Sequence, residues 1–375
     1  MLAAVLAALG CAEAQPGGDV GHPADDVETT MLHSPRDGGF ASYGLMTINL
    51  HCFKTEGSAF GNNDDRFGQI ARGAADQNVA VIAAQEVCQR GDAFAARDLR
   101  AALERATQHE WSFSWMPAHV GWQGTPDEAN EGVAVFVRGR IDDGKVVFYS
   151  FHHQNSLRRV MVGVQLPDEL GGYHVFSIHL AVEEWHLRAA QAREAAAIAL
   201  AAPWPRMDVI VAGDFNDHEA TAPITAMIDW GYRNVTQGVS SGFRIDHIFQ
   251  HRASWLASRG ARAIFDGSFY PRVSDHEGYL AWVGPGVGDS VPATQLVADI
   301  DVGFGNWLAV RGGTWPLSWD EGVPAFPVSG TQWRIIASEI TGGSEFKWLL
   351  NDSRWQSGGN LWVDAGAEHR MRLGF

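Results

Sequence analysis

The stretch VIVAGDFNDH, residues 209–218, decides how this chain is read. Val209, Ile210, Val211 and Ala212 carry no polar residue between them, so they read as a strand covered on both faces. The run then breaks at Gly213 into Asp214, Phe215, Asn216 and Asp217. Gly, Asp and Asn favour turns, and a strand-to-turn junction accounts for the stretch taken alone. Carboxylates beside a buried strand need partners, however, and the rest of the chain repeats the arrangement.

From residue 44 to 285, strands and helices alternate. The patterning predicts strands at 45–52, 79–87, 132–139, 146–152, 159–166, 173–181, 207–215, 242–250 and 278–283. Helices are predicted at 64–78, 91–107 and 184–202, the last the strongest. Two predominantly mixed sheets with outer helices are the natural packing. At 284–292 the Gly- and Pro-rich GPGVGDSVP marks a boundary. Residues 293–375 hold seven of the 15 tryptophans, with short strands and Gly turns but no helical period, and read as a small β-sandwich. A chain of 375 residues exceeds most single cores and fits two domains.

The N-terminus MLAAVLAALGCAEAQPGG is apolar for about ten residues, too short to span a bilayer and similar to a secretory signal. ALGC resembles a bacterial lipobox with Cys11 as the lipidated residue, and AEA before Gln15 is the alternative cleavage site. Residues 1–14 are therefore expected to be a signal, and 15–42, rich in Gly, Pro and Asp, a tether. The expected location is secreted, periplasmic or on the outer surface of a bacterium. Cys52 and Cys88 remain. The reading preferred for them is two buried thiols, with a disulfide as the alternative in an oxidising compartment. The net charge of −16 offers nothing to non-specific attraction of nucleic acid or anionic lipid. It leaves phosphate substrates open, because a bound cation can invert the local field.

Polar residues recur at the ends of the apolar strands. Asn49 ends LMTIN, Glu86 ends VIAAQE, Glu131 opens EGVAVF and His179 ends VFSIH. Asp214 and Asn216 end VIVAGDFN, Asp246 lies in FRIDHIF, and Asp275 and His276 form SDHEGY. Each alone has an ordinary explanation as a turn former, a cap or a core residue; together, in one order, they ask for a common one. Along a strand, residues i and i+2 point to one side, which would let Asp214 and Asn216 face one site.

In that order TIN, QEV, EGVAVF, SIHL, GDFND, RIDHIF and SDHEGY, residues 44–285 resemble the endonuclease/exonuclease/phosphatase (deoxyribonuclease-like) family. The resemblance implies a four-layer α-β-β-α sandwich and hydrolysis of phosphate esters, most of all phosphodiesters, by water. Such chemistry needs neutralised non-bridging oxygens, an aligned water and a protonated leaving group, and hard oxygen ligands suit Mg²⁺, with Mn²⁺ or Ca²⁺ as alternatives. It implies Glu86 as principal metal ligand with Asn49 beside it, and Asp275 for the same or a second ion. Asp214 and Asn216 then orient water and phosphate. His276 is polarised by Asp246, and His179 pairs with Glu131. Members of the deoxyribonuclease type carry an Arg two residues after the metal Glu, where this chain has Cys88. A phosphate-binding Arg is expected on the middle strand, and of Arg158 and Arg159 the reading takes Arg159. AHVGWQGTPDEANEG, 118–132, is read as a substrate-side loop.

The segment SEFKWLLNDSRWQSGGNLWVDAG resembles the second half of starch-binding-type modules, which are immunoglobulin-like sandwiches. Trp319 and Trp355 are its candidates for stacking on sugar; the same rings filling a core, or the module clamping the preceding domain, are the alternatives. The sequence thus points to a monomeric metal-dependent phosphoesterase over 43–285 joined to a glucan-binding module over 293–375. Nucleic acid, phospholipid and sugar phosphate all stand as substrates. The competing reading is a surface glycan-binding protein whose phosphoesterase-like domain is catalytically silent.

Overall fold

The computed structural model describes residues 40–375 apart from 55–58, 155–156, 203–207, 240–243, 287–288 and 290–292. The signal reading of 1–14, the lipidated Cys11 and the tether up to residue 39 lie outside the described residues.

In chain order the structure has β1 (Tyr43–Asn49), α1 (Asn63–Asp76), β2 (Val79–Arg90), β3 (Ala93–Phe94), α2 (Ala95–Thr107), β4 (Trp111–Gly121) and β5 (Ala129–Arg138). There follow β6 (Val146–Ser150), β7 (Val160–Gln165), β8 (His174–His179), α3 (Trp185–Ala201), β9 (Val209–Asp214), α4 (Ala222–Asp229), β10 (Tyr232–Asn234), β11 (Asp246–His251), β12 (Leu256–Ile264) and β13 (Gly278–Pro285). One mixed sheet has the order β12-β13-β1-β2-β5-β4, and the other β10-β11-β9-β8-β7-β6.

Side-chain parity builds the layers. Leu45, Val81 and Ala83 pack between the sheets with Val162, Ile210 and Ala212. Their neighbours Met46, Ile82 and Ala84 face the other way, onto Phe67 and Ile70 of α1 and Leu99 and Leu103 of α2. Val209 and Val211 likewise face α3 and α4. The opening run of apolar residues is therefore covered on both faces, as a strand with no alternation requires. Beneath the rim where β1 and β8 end, the sheet interface turns polar. Gln85 Nε2 donates to Ser177 Oγ at 3.0 Å, and that hydroxyl donates to the Ala84 carbonyl, also at 3.0 Å.

The C-terminal β-rich region carries β14 (Thr294–Asp299), β15 (Leu308–Gly312), β16 (Val323–Pro324), β17 (Phe326–Ser329), β18 (Gln332–Ala337), β19 (Ser344–Leu350), β20 (Arg354–Trp355), β21 (Leu361–Val363) and β22 (Glu368–Arg372). Its two sheets run β17-β18-β14-β22 and β16-β15-β19-β20, with β21 beside β19. Trp348 and Trp333 fill its interior, whereas Trp315, Trp355 and Trp362 are exposed.

Helix α3 explains how this region sits. Only Trp185, His186, Arg188 and Arg193 of the helix are not buried. A helix apolar all round must be covered all round. One side lies on the sheet of β8 and β9; the other meets β16 and β18. Phe326, Trp333 and Ile335 share one hydrophobic cluster with Ala196, Ile198 and Leu200. Arg334 closes the helix end, donating to the carbonyls of Ala201 (2.8 Å) and Ala202 (2.7 Å), where backbone acceptors lack helical partners. Arg252 donates from Nη2 to both carboxylate oxygens of Glu339, at 2.7 and 2.6 Å. Gly231, at φ 83°, sits at the same junction. A Cβ there would approach Glu339, His251 and Ser338 to within 2.6–2.8 Å.

One carboxylate survives inside this junction. Glu194 of α3 is wholly buried and accepts from Tyr149 Oη (2.7 Å) and from the amides of His152 (2.7 Å) and His153 (3.2 Å). The Nδ1 atoms of His152 and His153 lie 2.9 and 2.8 Å from its two oxygens. Burial lifts its pKa, but the hydrogen bonds and charges of the two histidines more than reverse this and bring it to about 2. Its ionised form therefore contributes stability that is fully present above the ordinary value of 4.5 and is lost as pH falls toward 2. Urea unfolding at neutral pH is expected to show Glu194→Gln about 3 kcal/mol less stable than wild type. The gap closes as the medium is acidified; a gap indifferent to pH overturns the assignment.

Candidate active site

Strand register gathers the polar strand ends at one rim. His179 lies opposite Asp214 in the parallel β8–β9 pair, and Asp214 opposite Asp246 in the antiparallel β9–β11 pair. In the other sheet Asn49 closes β1 opposite Gln85, and Glu131 of β5 lies opposite Cys88 of β2. Gly213 permits the close approach: at φ 155° it has no Cβ, and one would meet the Ile178 carbonyl oxygen at 2.0 Å. Asn49 joins the two sheets. Its Nδ2 donates to Glu86 Oε1 at 2.9 Å and to Asp214 Oδ2 at 3.1 Å, while its Oδ1 accepts from the His51 amide at 2.9 Å.

Glu86 reaches the rim through a bulge. The β2–β5 register shifts between Ala84 and Val87, and Glu86 adopts φ 48°, a left-handed conformation that costs a non-glycine residue on the order of 1 kcal/mol. Its buried Oε2 has no hydrogen-bond partner among the described residues. Burial, followed by the charge of Glu131, pushes its pKa to about 8, with Asn49 and His276 pulling the other way. Burial likewise raises Glu131 to about 7 and Asp246 to about 7.

Two imidazoles complete the rim. His276 Nδ1 lies 2.7 Å from Asp246 Oδ2 and 3.8 Å from Asp214 Oδ2. Burial lowers its pKa, but Asp246, then Asp214 and Asp275, outweigh burial and lift it to about 10. His179 has Nδ1 3.6 Å from Glu131 and Nε2 3.6 Å from Asp214. Burial, reinforced by the charges of Arg159, His276 and His119, holds it well below 6.5. The rim therefore carries one protonated and one neutral imidazole side by side.

Glu86, Glu131 and His179 form one group able to hold a metal ion, and Asp214, Asp246 and His276 a second. Several carboxylates forced toward neutrality by burial and by one another, with an oxygen of Glu86 unpartnered, are a donor set that a hard divalent cation fits. Asp275 falls in neither group; its Oδ1 lies 3.1 Å from His51 Nδ1.

Other residues take up places that patterning alone does not reveal. Strand β9 ends at Asp214, and Asn216 has φ 50°. The i, i+2 geometry expected of the two therefore does not hold. Asn216 instead donates its amide to Asp214 Oδ1 (2.8 Å) and its Nδ2 to the Leu180 carbonyl (3.0 Å). Arg159 is buried, its charge acted on by Glu131, Asp214 and Glu86; Arg158 is spent on the carbonyls of Ala118 (2.8 Å) and Pro117. The stretch 118–132 is strand at both ends, leaving a connection of 122–128. His119, within β4, puts Nε2 3.6 Å from Glu131. It was hidden because that stretch reads as a loop.

Cys52 and Cys88 are joined in a disulfide with Cα atoms 5.0 Å apart, which corrects the expectation of two thiols. The physical cause is β2 running on past its bulge to Arg90, so that the Cys52 amide donates to the Glu86 carbonyl at 3.1 Å. In the C-terminal region, the rings of Trp319 and Trp355 are 6.3 Å apart at 44°, and Arg311 lies over the Trp355 ring at 5.6 Å.

Residues 46–276 match the Endonuclease/Exonuclease/phosphatase family. No curated protein matches the chain. Among solved structures it is similar to an endonuclease/exonuclease/phosphatase family protein from Leptotrichia buccalis, 20% identical with a TM-score of 0.50, over 64% of this chain and 99% of that one. It is also similar to an endonuclease/exonuclease/phosphatase from Beutenbergia cavernae, 15% identical with a TM-score of 0.52, over 86% of this chain and 100% of that one. At these identities the likeness is one of fold.

Proposed function

The chain belongs to the Endonuclease/Exonuclease/phosphatase family, and on that footing we propose a divalent-cation-dependent phosphoesterase that cleaves phosphodiesters by attack of water. The observation that carries the reading is Asn49, whose amide ties Glu86 of one sheet to Asp214 of the other. Glu86 would be the principal ligand of the cation, with Asn49 beside it and Asp275 available to the same or a second ion; Mg²⁺ is the choice, and Mn²⁺ or Ca²⁺ the alternatives. Such an ion supplies charge neutralisation at the phosphoryl oxygens.

The chain's own residues do the rest. Asp214 is fixed by Asn49 and by the Asn216 amide, so its carboxylate can orient a water and accept its hydrogen bond. Asn216 offers its remaining oxygen to the same water. His276, kept protonated by Asp246, presents a cation to the phosphate, and buried Arg159 presents another. Neutral His179, 3.6 Å from both Glu131 and Asp214, would relay the proton that the attacking water loses at Asp214 to the leaving oxygen. The disulfide supports a secreted, periplasmic or outer-surface setting. The substrate class remains a phosphate ester of nucleic acid, phospholipid or sugar, and the acidic net charge of −16 weighs against nucleic acid.

A second reading is favoured by the Trp319–Trp355 pair, beside which Trp355 keeps 41% of its surface exposed. The C-terminal region would then bind glucan as a starch-binding-like module, on an enzyme or on a catalytically silent partner. One panel separates these readings: bis-p-nitrophenyl phosphate, plasmid DNA, sphingomyelin, phosphatidylinositol phosphates and sugar phosphates, each with Mg²⁺, Mn²⁺ and Ca²⁺, beside retention on insoluble glucan. Turnover of at least one ester is expected, lost on chelation and restored by the ion. A folded chain inert toward every ester yet retained on glucan establishes the silent reading instead.

A further inference from the structure

Arg159 stands immediately before β7, and its backbone is tied to residues that flank the contacts of the buried Glu194. Phe151 donates its amide to the Arg159 carbonyl (3.1 Å), and Gln154 Oε1 accepts from the Arg159 amide (3.0 Å). Immediately upstream, His152 and His153 clamp onto Glu194, and Gln191 Nε2 holds the His153 carbonyl at 2.7 Å. The other end of Gln191 accepts from the Ala181 amide (2.9 Å), two residues past His179.

Two side chains of the C-terminal region reach this knot. The Trp307 ring lies on the His152 ring with centroids 4.2 Å apart and planes 30° apart. Glu321 places one oxygen 3.5 Å from His153 Nε2 and the other 2.6 Å from Arg193 of α3. A region more than a hundred residues downstream thus touches both histidines, which lie between the two residues, Phe151 and Gln154, that hold the Arg159 backbone. Both Trp307 and Glu321 are partly exposed, and Trp307 also packs against the hydrophobic cluster shared with Tyr149 and Phe151.

We propose that the C-terminal β region sets the position of Arg159, with Trp307 and Glu321 acting as positioning residues through the His152–Glu194–His153 knot. The proposal rests on the phosphoesterase reading for the role of Arg159, but its mechanical half stands apart from it. A displacement of an ångström in a group that meets developing charge can cost up to about a hundredfold in rate. Removing the two contacts is a milder change, because the knot itself remains.

The test uses the full chain with Trp307→Ala and Glu321→Gln combined. Hydrolysis of bis-p-nitrophenyl phosphate with Mg²⁺ is expected to lose about tenfold in kcat. In an Arg159→Ala background the same pair changes kcat by less than about twofold, because the group they position is gone. Trp307→Phe, which keeps a ring on His152, retains the wild-type rate. By hydrogen exchange, the amides of Phe151, His152, His153 and Arg159 exchange about tenfold faster in the double variant. Equal kcat losses in both backgrounds, or unchanged exchange, overturn the proposal. A wild-type chain inert toward every ester sinks the phosphoesterase reading, and the exchange result alone then decides whether Arg159 is held from the C-terminal region.

Discussion

A chain ending at residue 292 is expected to fail as a soluble folded protein, although it keeps all the rim residues of the proposed site. The reason is α3. Its buried length is covered on one side by Val209 and Val211 of β9 and on the other by Phe326, Trp333, Ile335 and their neighbours. Each large apolar side chain withdrawn from water contributes on the order of 2 kcal/mol, so uncovering this face forfeits several such contributions. Net stability of a folded chain is itself only about 5–15 kcal/mol. The same cut removes Arg334 from the end of α3 and Glu339 from Arg252. Expression of residues 40–292 and of 40–375, compared by solubility, dye binding to exposed apolar surface and urea unfolding, checks this. A shorter chain that is soluble and unfolds at the same urea concentration contradicts it.

The second large effect concerns His276. Replacement by Ala removes a cation that faces the phosphate in the proposed mechanism, and kcat for the same diester is expected to fall about a thousandfold with circular dichroism unchanged. Asp246→Asn is the more telling variant. Burial pulls the His276 pKa down, and Asp246 is the first charge that lifts it to about 10. Without that charge the imidazolium gives up its proton at lower pH. The alkaline limb of the pH–rate profile therefore moves down the scale in Asp246→Asn. A His276→Ala enzyme within twofold of wild type, or an alkaline limb unmoved by Asp246→Asn, removes His276 from the mechanism.

Much of the candidate site was legible as a rim because its residues stand where an apolar period stops. Asn49, Glu86, His179 and Asp214 each follow buried runs of β-strand, and a polar residue there is conspicuous. The run 209–212 was legible for the same reason, since coverage on both faces leaves no alternation. What escaped was half-exposed. Edge strands β4 and β12 mix buried and exposed positions without a clean period, so His119 was hidden inside an apparent loop. The orientation of Asn216 was misjudged, because a backbone leaving its strand does not announce its φ in the residue types. The disulfide depended on a bulge, which inserts a residue that no period of two can register. The strong apolar character of 184–202 was plain, but a helix pattern says nothing of what lies on its far side.

The polar seam beneath the rim has its own consequence. Two sheets facing each other through Val, Ile and Leu alone meet as greased plates, and nothing directional resists a sideways slip between them. Gln85 and Ser177 act as a dowel across that plane, because a hydrogen bond, unlike dispersion, weakens steeply when its donor is dragged off axis. Asn49 and Asp214 stand on opposite plates just above the dowel, so the gap between them is indexed mechanically rather than left to the compliance of the core.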